Sequence, residues 1–321
     1  MAKYSVWISS LPETVLKPTV AALGNFDGVH LGHRQVIQPI LTYPIERSLQ
    51  GNANRLYSTV VSFSPHPMAF FSGEELPTLT PGDEKVRQLR RMGVDQLVLL
   101  PFTRELAGLS PHEFVEEVLV RQLNARFISV GEDFRFGRKR SGDAPMLRTI
   151  ASEFGIGVKL VELETIAGDR ISSSSIRGAL RSGDIQSATR MLGRSYDLTG
   201  IVVKGQQMGR QLGFPTANLQ LPEGKLVPRQ GVYAVRVVRE DPSATAIMGV
   251  MNIGTRPTLN GLTQTIEVHL LDWSGDLYGQ SITVELLEFL RGEQKFLSLD
   301  DLKHQINLDC TIARERLACA V

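Results

Sequence analysis

Cysteine is almost missing from this chain: Cys310 and Cys319 are the only two in 321 residues. With no third partner near them they fit neither a CxxC redox pair nor a zinc site, and they read as free thiols on a terminal helix. A charge imbalance is missing too. Thirty-five basic residues stand against thirty-four acidic ones, so no global field is available to gather nucleic acid or anionic lipid. No apolar run approaches membrane-spanning length, and the opening MAKYSVWISSLPETV has no signal-peptide apolar core. These absences point to a cytoplasmic protein with neither nucleic acid nor membrane as a partner. They leave the oligomeric state open.

What is present is an ordinary globular composition, 42% hydrophobic and 21% charged. At roughly 150 residues per domain the length suggests two domains, each large enough for its own core. In the first half, TVAAL (Thr19 to Leu23) reads as a buried strand, with a helix after His33. STVVSF, DQLVLLPF, RFISVG and GVKLVELE read as further strands. Between them, DEKVRQLRRMG has helical spacing and a glycine stop, and SPHEFVEEVLVRQL opens with Ser110 as N-cap and Pro111 at the first helical position. A further helix is expected from about Pro145 to Phe154. This alternation calls for a Rossmann-like parallel sheet with helices on both faces and ligands beyond the C-terminal strand ends.

The texture changes after SGDIQSATRMLGRSYDLTG. GIVVKG, GVYAVRVVRE, AIMGVMNIG, QTIEVHLLDW and SITVELLEFL are closely spaced strand patterns, and one helix, Leu297 to Ala318, closes the chain. The pattern suggests an antiparallel barrel with a C-terminal helix. The boundary is placed near Ile185, dividing the chain into domains 1–185 and 186–321.

In ALGNFDGVHLGH, strand, glycine-rich turn and helix start follow one another, which puts His30 and His33 at a helix N-terminus. Free backbone N–H groups and the positive dipole end make that place suited to an anion. Glycines 24, 28 and 32 allow close backbone approach. Phosphate handling and plain helix capping both remain open on the residues alone, and a metal would need a third ligand. Pro39 is expected to kink or shorten the helix. In SFSPHP, His66 is a rigid loop side chain at the ligand end of the sheet, or simply a turn histidine. VGEDFRFGRKRSGD joins Asp133, Phe134 and Phe136 to four basic residues. On a neutral protein this suits a loop over a small phosphorylated aromatic ligand better than single-stranded nucleic acid. ISSSSIRGALRSGD sets hydroxyls at a helix start with Arg177 one turn along, an arrangement fit for a polyphosphate tail.

In KGQQMGRQLGFPTANLQLP, Gly205, Gly209 and Gly213 with Arg210 make a flexible basic loop able to wrap phosphates. It is not a Walker A sequence. Thr216 and Asn218 fall on one side of an extended chain, and their oxygens are hard ligands suited to Mg²⁺ carried by a nucleotide; a hairpin turn is the plain alternative. In TQTIEVHLLDW, Glu267 and His269 share one strand face. Glu267 is a candidate general base or a solvated strand carboxylate.

Taken in order, GNFDGVHLGH, SFSPHP, GEDFRFG, ISSSSIR, GRQLGFPTAN, NIGTRPT, IEVHLLD, LYG and FLRGEQKF resemble the bacterial bifunctional riboflavin kinase/FAD synthetase family. The resemblance implies a nucleotidyltransferase module that makes FAD and pyrophosphate from FMN and ATP, followed by a barrel that makes FMN from riboflavin and ATP with Mg²⁺. It implies that His30 and His33, with Ser172, Ser174 and Arg177, hold the ATP triphosphate. Asn25, Asp27, His66 and Asp133 would line that site, with Phe136 near the flavin. In the barrel, the glycine loop with Arg210 and Phe214 would bind ATP, Thr216 and Asn218 would hold Mg-ATP, Glu267 would take the ribityl proton, and Arg291 would lie near the isoalloxazine ring. Two rivals stand beside this reading. A nucleotidyltransferase for another phosphorylated substrate leaves GFPTAN unexplained, and a flavin- or RNA-binding regulator leaves the intact polar sets unexplained.

Overall fold

A computed structural model describes residues 7–9, 12–49, 55–162, 165–166, 169–205, 209, 212–239, 241, 245–258 and 261–318. They form two compact units, Met1–Ser173 and Ser174–Val321.

The first unit is built on strands β1 (Trp7–Ser9), β2 (Thr19–Leu23), β3 (Tyr57–Ser64), β4 (Gln96–Pro101) and β5 (Ala125–Gly131). After a two-strand ribbon of β6 (Arg135–Phe136) and β7 (Gly142–Asp143) comes β8 (Gly157–Val161). The six longer strands form one sheet in the order β1-β4-β3-β2-β5-β8, with every pair parallel. β2 is buried along its whole length because helices cover both faces. Its side chains alternate between two cores, Ala21 and Leu23 in one and Val20 and Ala22 in the other. From β2 the chain passes to β3 on one side and later returns to β5 on the other. The crevice between β2 and β5 is therefore the switch point where such sheets receive ligands.

Helices α1 (Leu31–Leu49), α2 (Pro67–Ser72), α3 (Gly82–Met92) and α4 (Arg104–Gly108) belong to this unit. α3 ends where its glycine is expected to stop it, with Gly93 in the left-handed region. α5 (Pro111–Glu113) opens with a capping box between Ser110 and Glu113 and has Pro111 in its first turn. It continues as a π-helical stretch, Phe114–Gln122, a departure from the plain α-helix expected there. α6 (Ala144–Glu153) takes the place of the helix expected from Pro145.

Of the two effects expected of Pro39, a kink or a shortening, the shortening is corrected: α1 runs through both Pro39 and Pro44. Val36, Ile37 and Ile40 are buried in the core beneath it, and that packing outweighs the lost backbone donor. A further two-strand ribbon, β9 (Thr165–Ile166) and β10 (Asp169–Arg170), precedes α7 (Ser173–Ser182) and α8 (Ile185–Leu192).

The second unit is a closed antiparallel barrel. Its strands are β11 (Tyr196–Val203), β12 (Thr216–Gln220), β13 (Gly231–Arg239), β14 (Ile247–Thr258), β15 (Gly261–Leu270) and β16 (Ser281–Arg291), ordered β11-β12-β15-β14-β13-β16. A helix, Leu299–Ala318, packs on it through Cys310 and Ala313 against Val232, Ala234, Val250 and Leu271. Cys310 is a free, buried thiol; Cys319 lies outside the described residues. Among the described residues no helix is long and apolar enough to cross a membrane.

Candidate active sites

In the first unit, β2 runs directly into a strained turn. Phe26, Gly28 and Val29 all take positive φ, at 49°, 89° and 43°. A left-handed Val is rare and costs about 1–3 kcal/mol, so its surroundings must enforce it. They do so at four points. The Asp27 carboxylate, 4% exposed, accepts the backbone N–H groups of Leu79 and Thr80, both at 3.1 Å. The Thr80 hydroxyl accepts the Gly28 N–H at 2.8 Å. Ser173 Oγ donates to the Asp27 carbonyl at 2.9 Å. The Asn25 carbonyl accepts both Ser62 Oγ and Lys85 Nζ, each at 2.9 Å.

The turn delivers the chain to the N-terminus of α1 with His30 as its cap. The backbone N–H of His33 donates to His30 Nδ1 at 3.2 Å, so that nitrogen is an acceptor and a neutral His30 carries its proton on Nε2. The two imidazoles stack with centroids 3.5 Å apart and 17° between planes, and Phe26 meets His33 edge-on. Burial first, then the charges of His30 and Lys85, hold the His33 imidazole well below its ordinary pKa. His33 Nδ1 is buried without a hydrogen-bond partner, a neutral polar atom waiting in a polar place.

The remaining residues singled out for this unit have varied places. Asn25 carries the carbonyl at the head of the turn. Asp27 uses its carboxylate inside the turn. His66 caps α2, its Nδ1 accepting the Met68 N–H at 3.1 Å, with Pro67 in the first turn. Asp133 is exposed and paired with Arg170. Phe136 is 5% exposed and stands in the core beside Phe114 and Phe134, beneath the β6–β7 ribbon. Ser172 directly precedes α7; Ser174 is exposed in its first turn and Arg177 is half-buried one turn on. Ser174 and Arg177 fall in the second compact unit.

Ser62, Thr80 and Lys85 are functional contacts of the turn that lie outside the residues expected from the sequence. Lys85 is half-buried, whereas Arg90 and Arg91 on the same helix are exposed. The available cue is periodic: Gln88 and Leu89, three and four residues on, are buried, so Lys85 sits on the inward face of α3.

In the barrel, β12 pairs with β15 so that Thr216 faces His269 and Asn218 faces Glu267. β14 continues the row, with Asn252 opposite Glu267. These residues are half-buried, while their neighbours Ala217, Leu219, Ile266, Val268 and Leu270 are buried on the other face. Thr216 Oγ1 lies 3.4 Å from Glu267 Oε2. His269 Nδ1 donates to the Pro215 carbonyl at 2.9 Å, and the Phe214 ring meets His269 edge-on, which fixes the GFPTAN turn. Two glycines crowd this cluster. A Cβ on Gly205 would fall 2.4 Å from Asn218 Nδ2, and one on Gly209 2.4 Å from the Phe214 carbonyl oxygen. Gly213 has φ 92°, and Arg210 lies outside the described residues. Arg291 at the end of β16 is committed to Asp309 through Nε at 2.9 Å and an NH group at 2.7 Å.

Among the described residues no cluster of three or more His, Cys, Asp or Glu gathers as a metal site. Thr216, Asn218 and Glu267 instead offer hard oxygens, which fit an Mg²⁺ that arrives already held by phosphates and needs few protein ligands.

The chain matches the family model for FAD synthetase over residues 13–175 and that for riboflavin kinase over residues 192–317. The class is thus an enzyme with a nucleotidyltransferase module followed by a kinase module. Bifunctional riboflavin kinase/FMN adenylyltransferase from Escherichia coli strain K12 is 40% identical over 311 residues, 96% of each chain. The protein of that description from Haemophilus influenzae is 39% identical over 301 residues, 94% of each. A crystal structure of a macrolide-efflux protein from Streptococcus pneumoniae has a TM-score of 0.82 at 27% identity, covering 97% of this chain and 99% of that one. The chain belongs to the family of bifunctional riboflavin kinase/FMN adenylyltransferases. It is an enzyme of both activities, with the adenylyltransferase in the N-terminal part and the kinase in the C-terminal part.

Proposed function

We propose that ATP serves both steps, that Mg²⁺ accompanies it, and that the enzyme works in the cytoplasm on riboflavin and FMN, releasing FAD and pyrophosphate. The observation that carries the residue assignment is the joint placement of Thr216, Asn218 and Glu267 on two paired strands. In the kinase step Glu267 accepts the proton of the riboflavin 5′-hydroxyl as that oxygen attacks the γ-phosphorus and ADP leaves. Thr216 and Asn218 hold the Mg²⁺, which when bound neutralises phosphate charge. Gly205, Gly209 and Gly213 let the backbone come close to the phosphates, with Arg210 and Phe214 completing the loop. Such a step depends on alignment and charge neutralisation more than on covalent help.

In the adenylyl step a phosphate oxygen of FMN attacks the α-phosphorus of ATP. The α1 N-terminus and the Nε2–H of neutral His30, with His33, donate to the triphosphate and stabilise the departing pyrophosphate. Ser172, Ser174 and Arg177 are proposed as further triphosphate ligands, and for that reason the functional boundary is kept near Ile185. Asn25 and Asp27 shape the turn, His66 and Asp133 border the acceptor, and Phe136 supports that border from the core. Arg291 is assigned to the flavin side of the kinase through the strand end that it fixes.

The test separates the steps. Incubated with riboflavin, ATP and Mg²⁺, the purified chain is expected to yield FMN and then FAD on chromatography. Glu267→Ala should stop FMN formation yet still adenylylate supplied FMN, and His30→Ala should do the reverse. Loss of both steps in each of two folded variants overturns the assignment.

A further inference from the structure

We propose that Lys85 is a positioning residue for adenylyl transfer: its ammonium clamps the Asn25 carbonyl and so holds the strained turn in the one geometry that presents α1 to a triphosphate. The inference rests on the assignment of FMN adenylylation to the first unit.

Four observations carry it. Lys85 reaches across from α3 to the loop after β2, its Nζ 2.9 Å from the Asn25 carbonyl and 3.4 Å from Ser62 Oγ. Ser62 is 1% exposed near the end of β3 and donates to the same carbonyl, so the clamp joins the loop after β2, strand β3 and helix α3 at the ligand edge. Immediately beyond that carbonyl the chain turns through Phe26, Gly28 and Val29, all at positive φ, before entering α1. A turn of this kind relaxes when an anchor is removed, and α1's free N–H groups move with it. Finally, an ordinary helix lysine lies in solvent, as Arg90 and Arg91 do, whereas burial drives the Lys85 pKa down and the Asp27 charge opposes that fall. An ammonium kept in such a place has a task there. The charge also faces His33, whose other neighbours are His30 and the Phe26 ring edge.

The experiment uses the full chain with Lys85→Met, which keeps the apolar stem and removes the charge. The unaltered protein must form FAD from FMN and ATP; if it does not, the underlying assignment fails rather than this one. Riboflavin phosphorylation in the same polypeptide reports folding and is expected to be unchanged. Turnover of FMN to FAD should fall ~10-fold or more, because small misplacements of reacting groups have effects of this size. The acid limb of its pH profile should move to higher pH, since His33 loses a neighbouring cation. Lys85→Arg should restore the limb and part of the rate. Retention of adenylylation within about twofold overturns the proposal. So does a loss of rate with the acid limb unmoved and no recovery in Lys85→Arg, which is the signature of a merely structural lysine.

Discussion

The backbone N–H of His33 donates to Nδ1 of His30 at 3.2 Å while their rings stack at 3.5 Å, so a single capping contact also orders the imidazole pair. Two imidazolium ions in that arrangement repel, and His33 is held below its ordinary value of 6.5 by burial, by His30 and by Lys85. The unfolded chain therefore binds the extra proton first as pH falls. Stability from this group is full above about pH 6.5 and is lost as pH drops from there through the lower folded value. Calorimetry in closely spaced buffers should show the first unit's transition moving down in temperature below about pH 6.5, and His33→Gln should flatten the slope. A transition insensitive to pH there would remove His33 as its source.

Asp27 accepts two buried backbone N–H groups, from Leu79 and Thr80. Asp27→Ala orphans both, at about 1–3 kcal/mol each. Urea unfolding should report the loss in the first unit, with FAD formation falling alongside and riboflavin phosphorylation retained.

Gly205 lies against the Asn218 side chain so closely that a Cβ would come within 2.4 Å of Nδ2. Gly205→Ala must displace that amide, the proposed Mg-ATP ligand. Steady-state kinetics should show riboflavin phosphorylation reduced about 10-fold or more with adenylylation unaffected. An unchanged kinase rate would mean that Asn218 does not act where it stands.

Arg291 and Asp309 form a well-buried pair, with side-chain exposures of 17% and 3%. Gln305 also donates to Asp309, at 2.9 Å. Asp309→Ala leaves a mostly buried guanidinium uncompensated, a change of about 3–5 kcal/mol, whereas replacing both residues by apolar ones of similar volume should recover much of it. Chemical denaturation of the barrel decides between these outcomes.

Local patterns were sufficient for most of the architecture. TVAAL forms a wholly buried strand because five apolar-compatible residues end in a glycine turn, and Ser110, Pro111 and Gly93 mark helix ends by mechanisms that act within a few residues. The sequence was silent where the cause is remote. Trp7–Ser9 is a strand only because β4 offers it a partner. The Thr216–Gln220 segment, which alone reads as either an extended chain or a hairpin turn, is decided as β12 by β11 and β15 on its two sides. Pro39 stays inside α1 because the core beneath fixes it. The site residues divide in the same way. His30, Thr216 and Glu267 stand in motifs, while Lys85 and Thr80 contact the turn from about sixty and fifty residues away, a distance no local pattern spans.

The closing of β11 onto both β12 and β16 has a consequence for the enzyme's life in a crowded solution. A ring of strands leaves no border at which another chain could dock its own backbone, so the kinase barrel is protected from strand-to-strand aggregation by connectivity alone. The open sheet has two borders, β1 and β8, of three and five residues. Such short borders offer little template for backbone-mediated self-association.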